Sequence, residues 1–243
     1  MERKLTSSHL KWIALVTMFI DHFGGLLIEH YANANGLIYI SSGYPFNPQS
    51  KLELYYTIIR LIGRLAFPLY VFLLVEGFRH TRDAKKYIAR MGLFALISEI
   101  PFNLALTLNL KAPQHQNVFI TLTLGLIMLY IFELLERKHV PYRIVIDVLL
   151  VVAIAYFNEY MGADYGNYGI YFIAIVYALR NNPPVQSMAV GVMGFYQFTG
   201  SLAGIITYFY SGRKGKTFNK YFFYIFYPAH LLIIYFIART FFK

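Results

Sequence analysis

The chain has 243 residues, of which 58% are hydrophobic and only 14% are charged, whereas soluble domains carry about 25% charged residues. This composition excludes a soluble globular protein, and the absence of cysteine excludes disulfide frameworks and thiolate metal sites. The net charge is +10, but the basic residues recur between apolar stretches instead of forming one basic face, so we expect no nucleic acid as a partner.

Apolar stretches follow one another along the chain, and most approach or exceed the roughly 20 residues that an α-helix needs to cross a bilayer. They are 10–30, 54–78, 87–109, 117–136, 142–160, 167–180, 185–197, 199–211 and 219–240. We therefore predict an all-α, polytopic transmembrane helix bundle of about nine spans, two of them short. One integral domain covers 1–243, and "MERK" begins an uncleaved first span instead of a signal peptide.

Basic segments alternate with segments poor in Lys and Arg, which sets an orientation by the positive-inside tendency. "MERK", 79–90, 136–143, 179–184 and 212–220 are expected in the cytoplasm, and 31–53, 110–117 and 158–169 outside. The amino terminus is then cytoplasmic. Both flanks of 185–211 are basic, which requires two short helices that turn near Thr199-Gly200, or a re-entrant hairpin. Eight spans with the carboxyl terminus inside is the alternative.

Ionisable residues interrupt these spans, beginning with Asp21 and His22 in "WIALVTMFIDHFGGLLIEHY". Such a residue costs on the order of 2.5–3.5 kcal/mol near the bilayer centre, so it usually faces a partner or a wet cavity. At about 1.5 Å of rise per residue, four of them lie about 15–18 Å inside their own spans: His22, Arg64, Glu99 and His230. We expect four helices to bring these groups to one level.

Helical spacing places some of these residues on shared faces. Lys11 and His22 differ by only about 20° around the first helix, and Arg60 and Arg64 follow at i and i+4. Gly24-Gly25 favours close approach of another helix or of a ligand. Three of the ionisable residues have a proline close by in the chain, namely Pro68, Pro101 and Pro228. Each proline leaves one backbone carbonyl without its helical hydrogen bond, and a membrane protein tolerates such a carbonyl inside protein or beside a wet cavity.

Structural roles stay open beside functional ones. Intramembrane Arg–Glu pairs can simply hold helices in register, and Glu76 is expected to pair with Arg79 or with a neighbouring helix. His230 in "YPAH" can hydrogen-bond at the proline break. Asp21 can orient the His22 imidazole or pair with an arginine of another span. Asp164, in the external tract "GADYGNYG", is a candidate for the acceptor side.

Several motifs of soluble enzymes do not occur in the sequence. There is no P-loop, no Rossmann glycine pattern, no zinc-ligand pair on a helix and no G-x-S-x-G elbow. We therefore predict neither a metal nor a dinucleotide cofactor.

Six segments together resemble a known family. They are "LKWIALVTMFIDHFG" (10–24), "RLIGRLAFPLYVFLLVEGFRHTRD" (60–83), "LFALISEIPFNLAL" (93–106), "NVFITLTLGL" (117–126), "ADYGNYGI" (163–170) and "YFFYIFYPAHLLIIY" (221–235). In this order they resemble the TraX family, named for a conjugation protein that acetylates the amino terminus of F pilin. That family is similar in turn to the acyltransferase 3 and heparan-α-glucosaminide acetyltransferase groups, in which ten residues separate a basic residue from a histidine, as they separate Lys11 from His22.

The resemblance implies a multipass acetyltransferase of the plasma or inner membrane that uses cytoplasmic acetyl-CoA. His22 is then the general base, Arg64 polarises the thioester carbonyl, and Asp21 and Glu99 fix the arginines or the imidazole tautomer. The residues expected to bind the cofactor are Lys11, Arg60, Arg64, Arg79 and His230. Direct transfer is preferred because the chain has no cysteine, and an acetyl-histidine intermediate stays open.

The acceptor is open between a peptide amine, a glycan hydroxyl and a lipid headgroup, and the sequence indicates no oligomeric state. Two other classes of protein also stay open. A proton-coupled transporter or flippase would use the intramembrane ionisable residues as a relay. A non-catalytic membrane scaffold would use them to set helix register.

Overall fold

The structure is a computed structural model, and it describes residues 3–37, 48, 50–110, 115–216 and 219–242. Within these ranges the regular secondary structure is helical, which confirms the all-α prediction. The helices are α1 (Ser7–Ala34), α2 (Lys51–Gly63), α3 (Ala66–Arg79), α4 (Ala84–Thr107), α5 (Val118–Arg137), α6 (Arg143–Tyr160), α7 (Gly166–Ala178), α8 (Pro183–Gly194), α9 (Leu202–Tyr208) and α10 (Lys220–Phe241).

By length and composition alone, six helical segments in the described ranges are candidates to cross a membrane, which identifies a membrane protein. They are Ser7–Ala34, Lys51–Arg79, Ala84–Thr107, Val118–Arg137, Pro183–Tyr208 and Tyr221–Phe241. The count of nine spans and the cytoplasmic amino terminus stay predictions.

Local sequence determines where several helices begin. The Ser50 side chain accepts the N–H of Glu53 and the Glu53 carboxylate accepts the N–H of Ser50, so that a capping box starts α2. The Asp83 carboxylate accepts the N–H of Lys86 at 3.0 Å at the start of α4. This backbone hydrogen bond holds the pKa of Asp83 below its usual value.

Segments that were predicted to share a side of the membrane lie beside one another. The N–H groups of Ser7 and Ser8 donate to the carbonyls of Arg213 and Lys214, at 2.9 and 3.2 Å. At the other end, the N–H of Gln116 donates to the Gly162 carbonyl at 2.9 Å. Two of the loop pairs that the distribution of Lys and Arg places on one side are therefore in contact in the described residues.

The segment 51–79 is one span with a break between α2 and α3. Pro68 lacks the N–H that would bond the Arg64 carbonyl, and the N–H of Leu65 bonds three residues back instead of to Leu61. The Thr199 hydroxyl donates to the Leu61 carbonyl at 2.5 Å. A residue from another part of the chain thus satisfies backbone that the break exposes, as a membrane interior requires.

Residues 183–208 form a helical hairpin, and its tip supplies Thr199. Backbone contacts pair Gly194 with Gly200 and Gly191 with Gly204, so α8 and α9 double back on each other. Phe198 turns the chain with φ 54° and ψ −88°. With 12 and 7 residues, neither helix spans the roughly 30 Å hydrocarbon core at about 1.5 Å per residue, which favours a re-entrant hairpin over two crossings.

Gly194→Ala is expected to destabilise the fold, because the added Cβ would lie 2.4 Å from the Gly200 carbonyl oxygen. We expect a loss of about 1–3 kcal/mol in the free energy of unfolding, the usual cost of overpacking. Loss of helical circular dichroism in detergent titrated with sodium dodecyl sulfate measures it. Gly92→Ala is the control, since its Cβ would meet only Thr123 Cγ2 at 3.6 Å, and an equal loss in both variants would contradict the close hairpin contact.

Candidate functional site

A cavity of about 510 Å³ runs through the helix bundle and contains most of the candidate chemistry. Lys11 and His22 both line it, about 17 Å apart along α1, as their shared helix face predicts. Lys214 lines the end near Lys11, and Asp21 and Asp164 line the end near His22. The cavity thus connects a basic loop region with two carboxylates and an imidazole inside the bundle.

The mouth of this cavity is cationic. Lys11, Arg90 and Lys214 line it together with His80. Lys11 Nζ lies 5.7 Å from the centre of the Phe223 ring, and Arg90 donates to the Tyr224 hydroxyl at 3.4 Å. Aromatic side chains therefore hold two of the cations in place. Such a mouth attracts anions.

Asp21 is bound by Arg60, one of the two partners left open by the sequence. Arg60 Nη1 lies 3.0 Å from Asp21 Oδ1, and the Asp21 residue is only 8% exposed. The helices approach closely because α2 has Gly63 there, where a Cβ would lie 2.2 Å from Asp21 Cβ. Gly25 also faces Arg60, whose Cδ a Cβ there would meet at 3.2 Å, in agreement with the expected close approach at Gly24-Gly25. Arg60 was expected at the cofactor, but it does not line the cavity and holds Asp21 instead.

His22 and His230 form a hydrogen-bonded pair across α1 and α10. His22 Nδ1 lies 2.9 Å from His230 Nε2, and His230 Nδ1 lies 2.8 Å from the Phe226 carbonyl oxygen. The two rings are nearly parallel, with 4° between their planes. His230 is 2% exposed and does not line the cavity. His230 therefore contacts His22. The expectation that His230 binds the cofactor is not supported by this position.

Asp164 lies in the linker between α6 and α7, and its side chain is accessible from the cavity. Its backbone is fixed by the Thr121 hydroxyl, which donates to the Asp164 carbonyl, and its Oδ1 accepts the N–H of Tyr165 at 3.0 Å. Distance from bulk water raises the pKa of Asp164 to about 6, although the Tyr165 N–H and the charges of Arg64 and Arg60 act in the opposite direction. This carboxylate titrates near neutral pH.

Arg64 lies at the break between α2 and α3. Gly63 and Ala66 line the cavity, whereas Arg64 itself does not, and its carbonyl faces Gly200, where a Cβ would lie 3.0 Å away. The charge of Arg64 acts on Asp164. Its level in the membrane and its role in the reaction stay predictions.

Glu99 has a different partner from the one expected. Its Oε2 accepts the Asn117 side-chain amide at 2.6 Å, and the Asn117 amide also donates to the Ala95 carbonyl at 2.9 Å. Asn117 in turn caps α5 through the N–H of Phe119. Within the described ranges Glu99 therefore ties α4 to the start of α5 instead of fixing an arginine or the imidazole.

Arg79 also lies away from the cavity. Its Nη1 donates to Glu76 Oε1 at 2.9 Å, which is the pairing that the sequence indicated for Glu76. Glu76 lines the cavity, whereas Arg79 and Arg82 line a separate cavity of about 640 Å³ beside α5 and α7. The expectation that Arg79 binds the cofactor is not supported by this position, because Glu76 occupies its guanidinium.

Several lining residues received no role from the sequence. Arg90 and Lys214 belong to basic segments that indicate only a side of the membrane, and Tyr165 and Tyr227 belong to the general excess of aromatic residues. The pattern of basic residues indicated the end of the molecule at which Arg90 and Lys214 lie. It did not identify which basic residues line the cavity. Among the described residues, no group of three or more His, Asp and Glu side chains is placed to hold a metal ion.

Comparison with known proteins shows similarity over nearly the whole chain. The family model described as "TraX protein" matches residues 6–238. The "Probable fimbrial assembly protein FimC, serogroup H1" of Dichelobacter nodosus is 30% identical over 254 residues, which covers 93% of this chain and 92% of that protein. No solved structure gives a significant match.

Arg60→Met is expected to destabilise the protein by about 3 kcal/mol, because it leaves the Asp21 carboxylate buried without its cation. The double variant with Asp21→Asn should recover part of this loss, and unfolding in detergent measures both. Arg137→Met is the control, since Arg137 pairs with Glu133 at the surface, with 72% of its side chain exposed, and should cost less than about 1 kcal/mol. Equal losses at the two pairs would contradict a structural role for the buried one.

Proposed function

The chain belongs to the TraX family, and from this membership we propose that it is a multipass membrane acetyltransferase. It transfers the acetyl group of cytoplasmic acetyl-CoA to an amine or hydroxyl of a membrane or external acceptor, in the plasma or inner membrane. A pilin-type peptide amino terminus is the first acceptor to test, because the family is known for pilin acetylation and a relative is named for fimbrial assembly. The observation that carries the proposal is the cavity between the cationic mouth and His22.

The cationic mouth of the cavity is suited to acetyl-CoA, the acetyl donor. Acetyl-CoA carries several phosphate charges at one end and its thioester at the end of a long, uncharged arm. Lys11 and Lys214 line the opening and would bind the phosphates, while the arm would extend between apolar walls such as Leu73 and Leu74. The thioester then reaches the level of His22, about 17 Å further along α1.

His22 is the proposed general base. Its Nδ1 is occupied by His230, so Nε2 is the nitrogen left for a ligand in the cavity. The acceptor nitrogen or oxygen attacks the thioester carbon, a new C–N or C–O bond forms, and the C–S bond breaks with its electron pair on sulfur. The acceptor proton passes to His22 Nε2 and then to the CoA thiolate, so that the base is regenerated.

Two carboxylates line the same end of the cavity, and the charge of Arg64 acts on one of them. Asp21 is held by Arg60, whose positive charge offsets the negative charge of the carboxylate. Asp21 therefore places a fixed ion pair next to His22 in the chain. Asp164 faces the cavity without an ion pair within 4.0 Å among the described residues, so its carboxylate is free to accept a hydrogen bond from the N–H of a neutral amine acceptor. Arg64 offsets the carboxylates and is the proposed source of positive charge for the developing oxyanion.

His22→Gln is expected to abolish acetyl transfer, with a loss of about 10²–10⁴ in kcat, the usual contribution of a general base. Purified protein in nanodiscs is incubated with acetyl-CoA and a peptide that has a free amino terminus, and mass spectrometry detects the acetylated peptide. Acetyl-CoA affinity, measured by calorimetry, should be unchanged because His22 lies away from the mouth.

The control is His30→Gln, which alters another histidine of α1 whose Nε2 contacts the Ala105 carbonyl at 2.7 Å and which does not line the cavity. Lys11→Ala combined with Lys214→Ala should raise the KM for acetyl-CoA and not for acetyl-pantetheine, which lacks the phosphates. If wild-type protein neither binds acetyl-CoA nor acetylates any acceptor, while a pH gradient drives solute uptake, the transporter interpretation replaces this one.

The Asp164 carboxylate predicts a pH dependence. With a pKa of about 6, it is charged above pH 6 and neutral below, so kcat/KM for an amine acceptor should fall as the pH falls through 6. Asp164→Asn should remove this acid limb and lower kcat/KM at pH 8 about tenfold or more, the value of one charged hydrogen bond. Asp147→Asn, which changes an aspartate of α6 outside the cavity lining, is the control. An unchanged acid limb in Asp164→Asn would contradict the assignment.

A further inference from the structure

The histidine pair assigns a role to the last helix. We propose that His230 is a positioning residue that holds His22 in the tautomer with its proton on Nδ1, so that Nε2 is presented as a proton acceptor. The catalytic consequence rests on the proposed function. The tautomer itself is a property of the folded protein and is measurable without any turnover.

The direction of the hydrogen bonds follows from the Phe226 carbonyl. A carbonyl oxygen can only accept, so His230 Nδ1, at 2.8 Å from it, carries a hydrogen. A neutral imidazole has a lone pair on its other nitrogen, so His230 Nε2 accepts. His22 Nδ1, at 2.9 Å from that nitrogen, must therefore donate, and the lone pair of His22 is on Nε2.

The surroundings keep both rings in this arrangement. The Phe226 ring stacks on His230 with 17° between the planes and 5.2 Å between the centres, and the Tyr227 ring meets both imidazoles edge to face, at 5.6 and 6.0 Å. Phe19 closes a further side at 6.2 Å from His230. A ring that is 2% exposed and enclosed in this way cannot exchange its partner for water.

The pair orients a base without placing another charge in the membrane. A carboxylate behind His22 would select the same tautomer, but it would add a buried ion. The chain from the Phe226 carbonyl through His230 to His22 uses neutral groups. When His22 Nε2 takes the acceptor proton, its Nδ1–H bond to His230 becomes charge-assisted and stronger, and no second proton has to move.

Nitrogen-15 NMR of the histidine rings tests the tautomer. Protein labelled at both ring nitrogens is studied in nanodiscs at pH 8, where protonated and unprotonated ring nitrogens have distinct shifts. A nitrogen–nitrogen coupling across the hydrogen bond identifies the pair in wild-type protein, and loss of signals in His22→Gln confirms the assignment. We expect Nδ1 protonated and Nε2 unprotonated in both rings of the pair.

Two substitutions separate positioning from packing. His230→Leu removes the acceptor, and the His22 proton should then redistribute to Nε2. His230→Gln supplies an amide oxygen that can accept from His22 Nδ1, so it should retain the tautomer. His30→Gln, the matched control on α1, should leave the His22 signals unchanged.

Kinetics add a second readout. His230→Leu should lower kcat about 10- to 100-fold, the usual effect of losing an outer partner of a reacting group, with the KM for acetyl-CoA unchanged, and His230→Gln should recover most of the rate. A wild-type His22 protonated on Nε2, or an unchanged tautomer in His230→Leu, would overturn the proposal. The expected tautomer in protein that transfers no acetyl group would leave the assignment standing and refute the proposed function.

Discussion

The contact between α1 and α2 at Gly63 is the constraint on which the site depends. A side chain there would overlap Asp21, so only glycine lets the helices approach until Arg60 reaches the carboxylate at 3.0 Å. Once Asp21 faces α2, His22 points about 100° away around the helix, towards α10 and the cavity. A single small residue thus decides which of two adjacent polar residues becomes structural and which one is presented to a ligand.

Charged and polar groups inside the membrane follow a common pattern in this molecule. Asp21 has Arg60, Glu76 has Arg79, and the Leu61 carbonyl freed by the helix break has the Thr199 hydroxyl. Because these groups bind to each other, each has a polar partner within the protein. The helical hairpin of residues 183–208 contributes to the same result, since Thr199 at its tip binds the backbone at the break beside Arg64.

Much of the fold could be predicted because it depends on properties of single segments. Apolar length indicated the helices, proline chemistry indicated a freed backbone carbonyl near Arg64, and helical periodicity placed Lys11 and His22 on one face. The partners of Glu99 and His230 depend instead on which helices are neighbours, and periodicity within one helix contains no information about that. Glu99 binds Asn117 and His230 binds His22. Lys214 turns inward from a loop, where no periodic pattern exists.

The pairing of α1 with α10 has a consequence for the order of assembly. Ribosomes deliver the amino-terminal helix first, so His22 enters the membrane long before His230 is translated. The loop that carries Lys214, which hydrogen-bonds the start of α1, also emerges late. A chain whose synthesis is interrupted therefore lacks His230, the partner of His22, and Lys214, which lines the mouth of the cavity. The hydrogen bond that fixes the His22 ring therefore forms only after the helix that bears His230 has been inserted.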